Sequence, residues 1–212
     1  AERGSAGECS FASLGQNKRP CEKQDKTHAK SINMRTFIAI ELPTEVKDKL
    51  SKIQEQLKKS GADVKWVEPC NIHLTLKFLG EIDDKKIEKI IEIIDGTVKD
   101  KNTFHIRISS LGAFPKINYP RVIWIGIDKG DCETKEIAKE LEEKNEKIGF
   151  PRENRAFSSH ITIGRTKSTL NREKLVQELK TQSANFCGGL EFVVTKITLF
   201  KSTLTPGGPI YE

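Results

Sequence analysis

Two tetrapeptides decide the fold: "HLTL" at residues 73–76 and "HITI" at residues 160–163, their histidines 87 residues apart. In an extended strand, side chains alternate between faces, and residues i and i+2 lie about 6.6–6.8 Å apart on one of them. His73 and Thr75 therefore share a face, as do His160 and Thr162. Leu74, Leu76, Ile161 and Ile163 turn to the opposite face, where helices can cover them. Each strand would bury one side and present imidazole and hydroxyl on the other.

Working outward, the surroundings of the two tetrapeptides also correspond. "TFIAIEL" reads as a buried strand, and Pro43-Thr44 opens a helix with Val46, Leu50, Ile53 and Leu57 on one face and Gly61 beyond its end. "VKWVE" and "IHLTLKFLG" follow as strands, and then a helix capped by Asp83 or Asp84 carries Ile87, Ile90, Ile91 and Ile94. "FHIRISSLGAF" and "RVIWIGID" form an antiparallel pair around a turn with Pro, Asn and Tyr. A third helix is expected over about Glu133 to Ile148, then "SHITIG", a short helix from Asn171 to about Lys180, and the long β-rich run "LEFVVTKITLFKSTL". Each half thus holds an opening strand, a helix and a later strand bearing His-x-Thr. The expected fold class is α+β: a bilobal, pseudo-twofold duplicated domain with two antiparallel sheets lining a central cleft and helices packed outside.

The 212 residues are 36% hydrophobic and 31% charged, enough for one or two globular domains with a real core. Residues 1–33 carry neither period and read as a disordered leader or added segment. Met34, the only methionine, marks a candidate natural start, with the folded domain over 34–212. No apolar stretch approaches the roughly 18 residues of a membrane span, and no secretory signal is present, so a soluble, cytoplasmic monomer without an obligate protein partner is expected. The five cysteines (Cys9, Cys21, Cys70, Cys132, Cys187) lack the spacing of a zinc site or a disulfide framework. They read as free thiols, with no metal. The net charge of +6, of which the leader contributes +2, favours anionic partners without naming one.

A pair of imidazoles, each with an ordinary pKa near 6.5, can supply one neutral base and one protonated acid near neutral pH. That suits in-line displacement at phosphorus, with the threonine hydroxyls donating to the non-bridging oxygens. One His-x-Thr says little, because threonine is common in strands. Two copies in matching halves are the signal. There is no H-E-x-x-H, no G-x-x-x-x-G-K and no G-x-G-x-x-G, which argues against zinc hydrolysis, nucleoside triphosphate use and dinucleotide binding.

The sequence here resembles the two-histidine phosphoesterase superfamily, and within it the RNA 2′,3′-cyclic phosphodiesterases, also described as 2′-5′ RNA ligase-like. The resemblance rests on "MRTFIAIELP", "NIHLTLKFLGEI", "LGAFP", "YPRVIWIGI", "SHITIGR" and "STLTPGGPIYE" and spans Met34 to the C-terminus. It implies hydrolysis of RNA 2′,3′-cyclic phosphate ends to a 2′-phosphate, with 2′-5′ ligation as the reverse and no cofactor. It also implies His73 as proton donor and His160 as proton acceptor; the residues themselves leave that order open. Two alternatives stand beside it: a phosphodiesterase of small cyclic nucleotides, and a non-catalytic RNA- or nucleotide-binding module.

Four further residues are candidate substrate contacts. Strict alternation places Lys77 on the face of His73 and Thr75. Arg165 would face the cleft if Gly164 forms a β-bulge, a role suited to a strand glycine. Phe114 and Arg121 lie in "FPKINYPR", which combines aromatic and basic residues of the kind that hold unpaired bases and phosphates. Phe78, Trp66 and Trp124 are assigned to the core, and His28 and His105 receive no role.

Overall fold

The computed structural model describes residues 33–186 and 189–212. The expected leader thus lies outside the described residues, apart from Asn33 at the start of the first strand, and so do Cys9, Cys21, His28 and Cys187. In chain order the elements are β1 (Asn33–Glu41), α1 (Thr44–Lys58), β2 (Val64–Trp66), β3 (His73–Asp83), α2 (Ile87–Val98), β4 (Phe104–Lys116) and β5 (Tyr119–Ile127). They continue with α3 (Asp131–Glu146), β6 (His160–Thr166), α4 (Arg172–Ala184), β7 (Glu191–Val194), β8 (Thr198–Thr205) and β9 (Gly208–Tyr211). No described helix is long and apolar enough to cross a membrane.

The strands follow one path, β7-β4-β5-β6-β3-β1-β8-β9, with β2 added on β6, and every pairing is antiparallel. The two arms of this path, β7-β4-β5-β6 and β3-β1-β8-β9, meet at a single pair, Leu74 opposite Ile161. These are the middle residues of the two His-x-Thr motifs. A twofold axis through that pair exchanges β3 with β6, β1 with β5 and β4 with β8, which is the duplication expected from the sequence.

The halves are interlocked. β4 ends the first half but pairs with β5 of the second, and β8 ends the second half but pairs with β1 of the first. The helices cross as well: α1 packs on β6 and α4, and α3 on β3 and α2. Their apolar stripes, including Val46, Leu50 and Leu57 of α1 and Ile137 and Leu141 of α3, cover one sheet face and merge into one core with Leu74, Leu76, Ile161 and Ile163. Leu74 and Ile161 are fully buried, each contributing about 1.5–3 kcal/mol of transfer free energy.

The run "LEFVVTKITLFKSTL" does not form one long strand. It divides into β7 and β8, which lie at opposite arms of the sheet, because Thr195–Ile197 leave the extended ladder and carry the chain across. Short strands split by polar residues look continuous when only composition is read.

Candidate active site

The Leu74–Ile161 pair fixes what surrounds it. One residue either way along an antiparallel ladder puts His73 beside Thr162 and Thr75 beside His160, all on the face opposite the helices. With Cα separations of about 4.5–5.5 Å across strands and about 6.7 Å along them, the two histidines stand on the diagonal of a small rectangle. Their Cα atoms are then about 8–9 Å apart, room for a phosphate between the rings.

Both imidazoles are held the same way. His73 Nδ1 lies 2.7 Å from the carbonyl of Asn71, and His160 Nδ1 lies 2.7 Å from the carbonyl of Ser158, in each case two residues back. A carbonyl oxygen can only accept, so each Nδ1 carries the hydrogen and each Nε2 is left to take or give a proton. The rings are further set by aromatic neighbours. Phe37 stacks on His73 at 4.7 Å and Tyr211 meets it edge-on at 5.3 Å, while Phe114 meets His160 edge-on at 5.1 Å. Burial draws the pKa of His73 below its ordinary value, the Asn71 carbonyl opposes this, and Lys47 lowers it further.

Beyond each motif the strand bulges. Thr75 pairs with Ala39 and Lys77 with Ile38, so Leu76 is the extra residue; Thr162 pairs with Trp124 and Gly164 with Ile123, so Ile163 is the extra residue. The twofold axis therefore matches "HLTLKF" to "HITIGR". The bulge falls at Ile163, one residue before the Gly164 expected from the sequence, and it turns Arg165, paired with Val122, toward the cleft face. Burial pushes the Tyr211 phenol above its ordinary pKa, and the charges of Arg165 and Arg35 partly oppose that push. Gly164 is required by close approach, since a Cβ there would sit 2.9 Å from the Trp66 ring. The Ile163 carbonyl at the bulge is satisfied by Val67 N–H at 3.0 Å and by the buried Gln54 amide at 2.8 Å.

The bulge at Leu76 overturns the expectation for Lys77. It is buried on the helix side, where its ammonium donates to Glu142 at 2.8 Å and to the Pro151 carbonyl at 3.3 Å, far from any phosphate-binding role. Strict alternation failed because the extra residue reverses the parity of Lys77 and Phe78, until a second bulge at Leu79 restores it. Phe78, assigned to the core, is instead 63% exposed for the same reason. Lys77→Met is expected to cost about 2–3 kcal/mol in chemical denaturation, less than a wholly buried pair because Glu142 keeps some contact with water. The double change Lys77→Met/Glu142→Leu should recover most of that loss.

Phe114 lies in the cleft between His160 and Trp124. Arg121 is exposed, as the extra residue of a bulge opposite the Phe114–Pro115 step. Trp66 and Trp124 are half-buried, and Trp124 shares the face of Thr162. Its indole lies over Gly112, where a Cβ would come within 2.4 Å of the ring. Sequence reading missed Phe37, Phe200, Tyr211 and Lys65. Lys65 is opposite Arg165, and Phe200 occupies the place that Phe114 holds in the other half, a match visible only once strand register is known. Among the described residues no three His, Cys, Asp or Glu side chains gather as metal ligands, and Cys70 and Cys132 are free.

The family described as LigT like Phosphoesterase matches the chain twice, over residues 40–124 and again over 127–211, one motif in each copy. The RNA 2′,3′-cyclic phosphodiesterase of Methanocaldococcus jannaschii is 42% identical over 179 residues, covering 84% of this chain and 97% of the relative. The protein of the same name from Methanothermobacter thermautotrophicus is 35% identical over 180 residues, covering 85% and 96%. The crystal structure of TT0787 of Thermus thermophilus has a TM-score of 0.70 at 27% identity, covering 84% of this chain and 94% of that one. A duplicated family pattern falling on the two halves that the sheet exchanges, together with relatives matched over nearly their whole length, places this chain in the LigT-like phosphoesterase family.

Proposed function

We propose that residues 34–212 form a catalytic domain that hydrolyses 2′,3′-cyclic phosphate ends of RNA to 2′-phosphates. The observation that carries the reading is the pair of twofold-related imidazoles, each anchored through Nδ1 to a carbonyl and each left with Nε2 toward one cleft. Relatives bearing the name RNA 2′,3′-cyclic phosphodiesterase supply the substrate class.

In the reaction, His160 Nε2 takes a proton from water as the oxygen bonds to phosphorus. The bond from phosphorus to the 3′ oxygen breaks, and that oxygen takes the proton of His73 Nε2. Thr75 and Thr162 donate to the non-bridging oxygens, whose charge grows in the transition state. Arg165 adds a positive charge at the edge of the cleft. The product carries a 2′-phosphate and a free 3′-hydroxyl, and the histidines recover their starting protonation by exchange with solvent. With a 5′-hydroxyl in place of water, the same forward steps join two strands: His160 takes the hydroxyl proton as the 5′ oxygen bonds to phosphorus, the 3′ oxygen leaves with the proton of His73, and a 2′-5′ linkage results. The scheme places no metal between enzyme and phosphate.

The test is an oligoribonucleotide with a 2′,3′-cyclic end incubated with the protein in EDTA, followed by identification of the phosphate position. A 2′-phosphate product is expected. Turnover that requires an added divalent cation would overturn the metal-free scheme, and tight binding without turnover would favour a binding module.

A further inference from the structure

Beside His73, away from the His160 motif, the structure holds a cavity of about 370 Å³ walled by His73, Asn71, Glu68, Glu41, Phe200 and Tyr211. We propose that this cavity takes the terminal nucleobase of the RNA; the inference rests on the cyclic phosphodiesterase reading and on His73 as the acid.

In-line displacement supplies the direction. The nucleophile and the leaving 3′ oxygen occupy opposite ends of the line through phosphorus, so the base that activates water and the acid that protonates the leaving oxygen flank opposite sides. The leaving oxygen belongs to the terminal ribose. With His73 as the acid, ribose and base lie on the His73 side, and the cavity is there.

The two halves are not equivalent in the room they leave. The position beside Thr162 carries Trp124, whose indole covers Gly112 and packs on Phe114 next to His160. The twofold-equivalent position, beside Thr75, carries Ala39. The first half is extended instead by the β8–β9 hairpin, which folds back until the Pro209 carbonyl accepts the Asn71 side-chain amide at 2.7 Å. That contact closes the cavity wall and ties the hairpin to the residue whose own carbonyl holds His73.

The lining suits a base better than a phosphate. Phe200 and Tyr211 offer aromatic surface, and the one ammonium in the lining, Lys47, is held by the Cys70 carbonyl beside the carboxylates of Glu41 and Glu68, so the cavity presents no excess of positive charge to a phosphate. Glu41 is engaged by Lys196 at 2.5 Å, while Glu68 is exposed at the rim. Every RNA base carries an N–H donor on its Watson–Crick edge, and Glu68 is the acceptor for it.

The experiment compares two oligoribonucleotides of equal length with 2′,3′-cyclic ends, one ending in a normal nucleotide and one in an abasic ribose, on the wild type and on Glu68→Ala. The wild type is expected to process the abasic end with kcat/KM lower by about tenfold or more, chiefly through KM. Glu68→Ala should lower kcat/KM on the base-bearing end by about threefold to tenfold and leave the abasic end unchanged. Equal kcat/KM for the two ends in the wild type would overturn the base site while leaving the activity intact. A loss in Glu68→Ala that is the same on both ends would also overturn it. No turnover on either end would overturn the activity reading and the base site with it.

Discussion

Replacing His73 or His160 by alanine is expected to lower kcat on a cyclic-ended oligoribonucleotide by about 10²–10⁴-fold each, the range that general acid or base catalysis contributes. Both side chains are half-buried on the cleft face and neither belongs to the core cluster, so circular dichroism and the denaturation midpoint should stay close to those of the wild type. Unchanged turnover in either variant would remove that histidine from the mechanism. The single variants also separate the two roles. In His160→Ala, the remaining imidazole of the catalytic pair is His73, whose pKa burial holds below 6.5. An acid must be protonated, so residual turnover should fall as pH rises through a value below 6.5. A rise with pH over the same interval would make His73 the base, reverse the assignment and move the terminal ribose to the other side of the cleft.

Thr75→Val and Thr162→Val should each reduce kcat by about 10²-fold with little change in KM, because a donor aimed at charge that develops in the transition state acts mainly there. Valine keeps the β-branched shape and suits a strand, so stability should hold. The twofold arrangement adds a condition: Thr75 stands beside His160 and Thr162 beside His73, so each hydroxyl addresses the phosphate from the side of the other motif's histidine. Losses of similar size are therefore expected. Steady-state kinetics on the same oligoribonucleotide measures them, and a variant with undiminished kcat would exclude that hydroxyl from transition-state contact.

The central site was readable from the sequence because strand alternation is a local rule. Two residues apart means one face, and that held for His73 with Thr75 and for His160 with Thr162. The rule failed two residues later in the first copy, at Lys77 and Phe78. A bulge leaves a sequence cue only where it needs glycine, as at Gly164, where Trp66 presses on the backbone. At Lys77 the flexible side chain runs out to Glu142, so nothing in the residue type reported the shift. The aromatic wall of Phe37, Phe200 and Tyr211 was illegible for a different reason. Those residues come from β1, β8 and β9, and their neighbourhood depends on which strands exchange between the halves, which no local pattern encodes. Gln54 was similarly hidden: a polar residue on an apolar helix stripe gains its meaning only from the bulge carbonyl it serves.

The crossing of β4, β8, α1 and α3 means that neither half closes on itself. A chain of half this length would carry one His-x-Thr motif and a closing strand whose partner strand belongs to the other half. Two copies of such a chain, exchanging those closing strands about the axis through the central leucine–isoleucine pair, would satisfy every ladder and assemble a complete site. In the single chain that exchange is internal, and the two halves differ at positions the axis relates. Tryptophan at position 124 against alanine at position 39, and arginine at 165 against phenylalanine at 78, are the differences that give a cleft built on a twofold axis a front and a back.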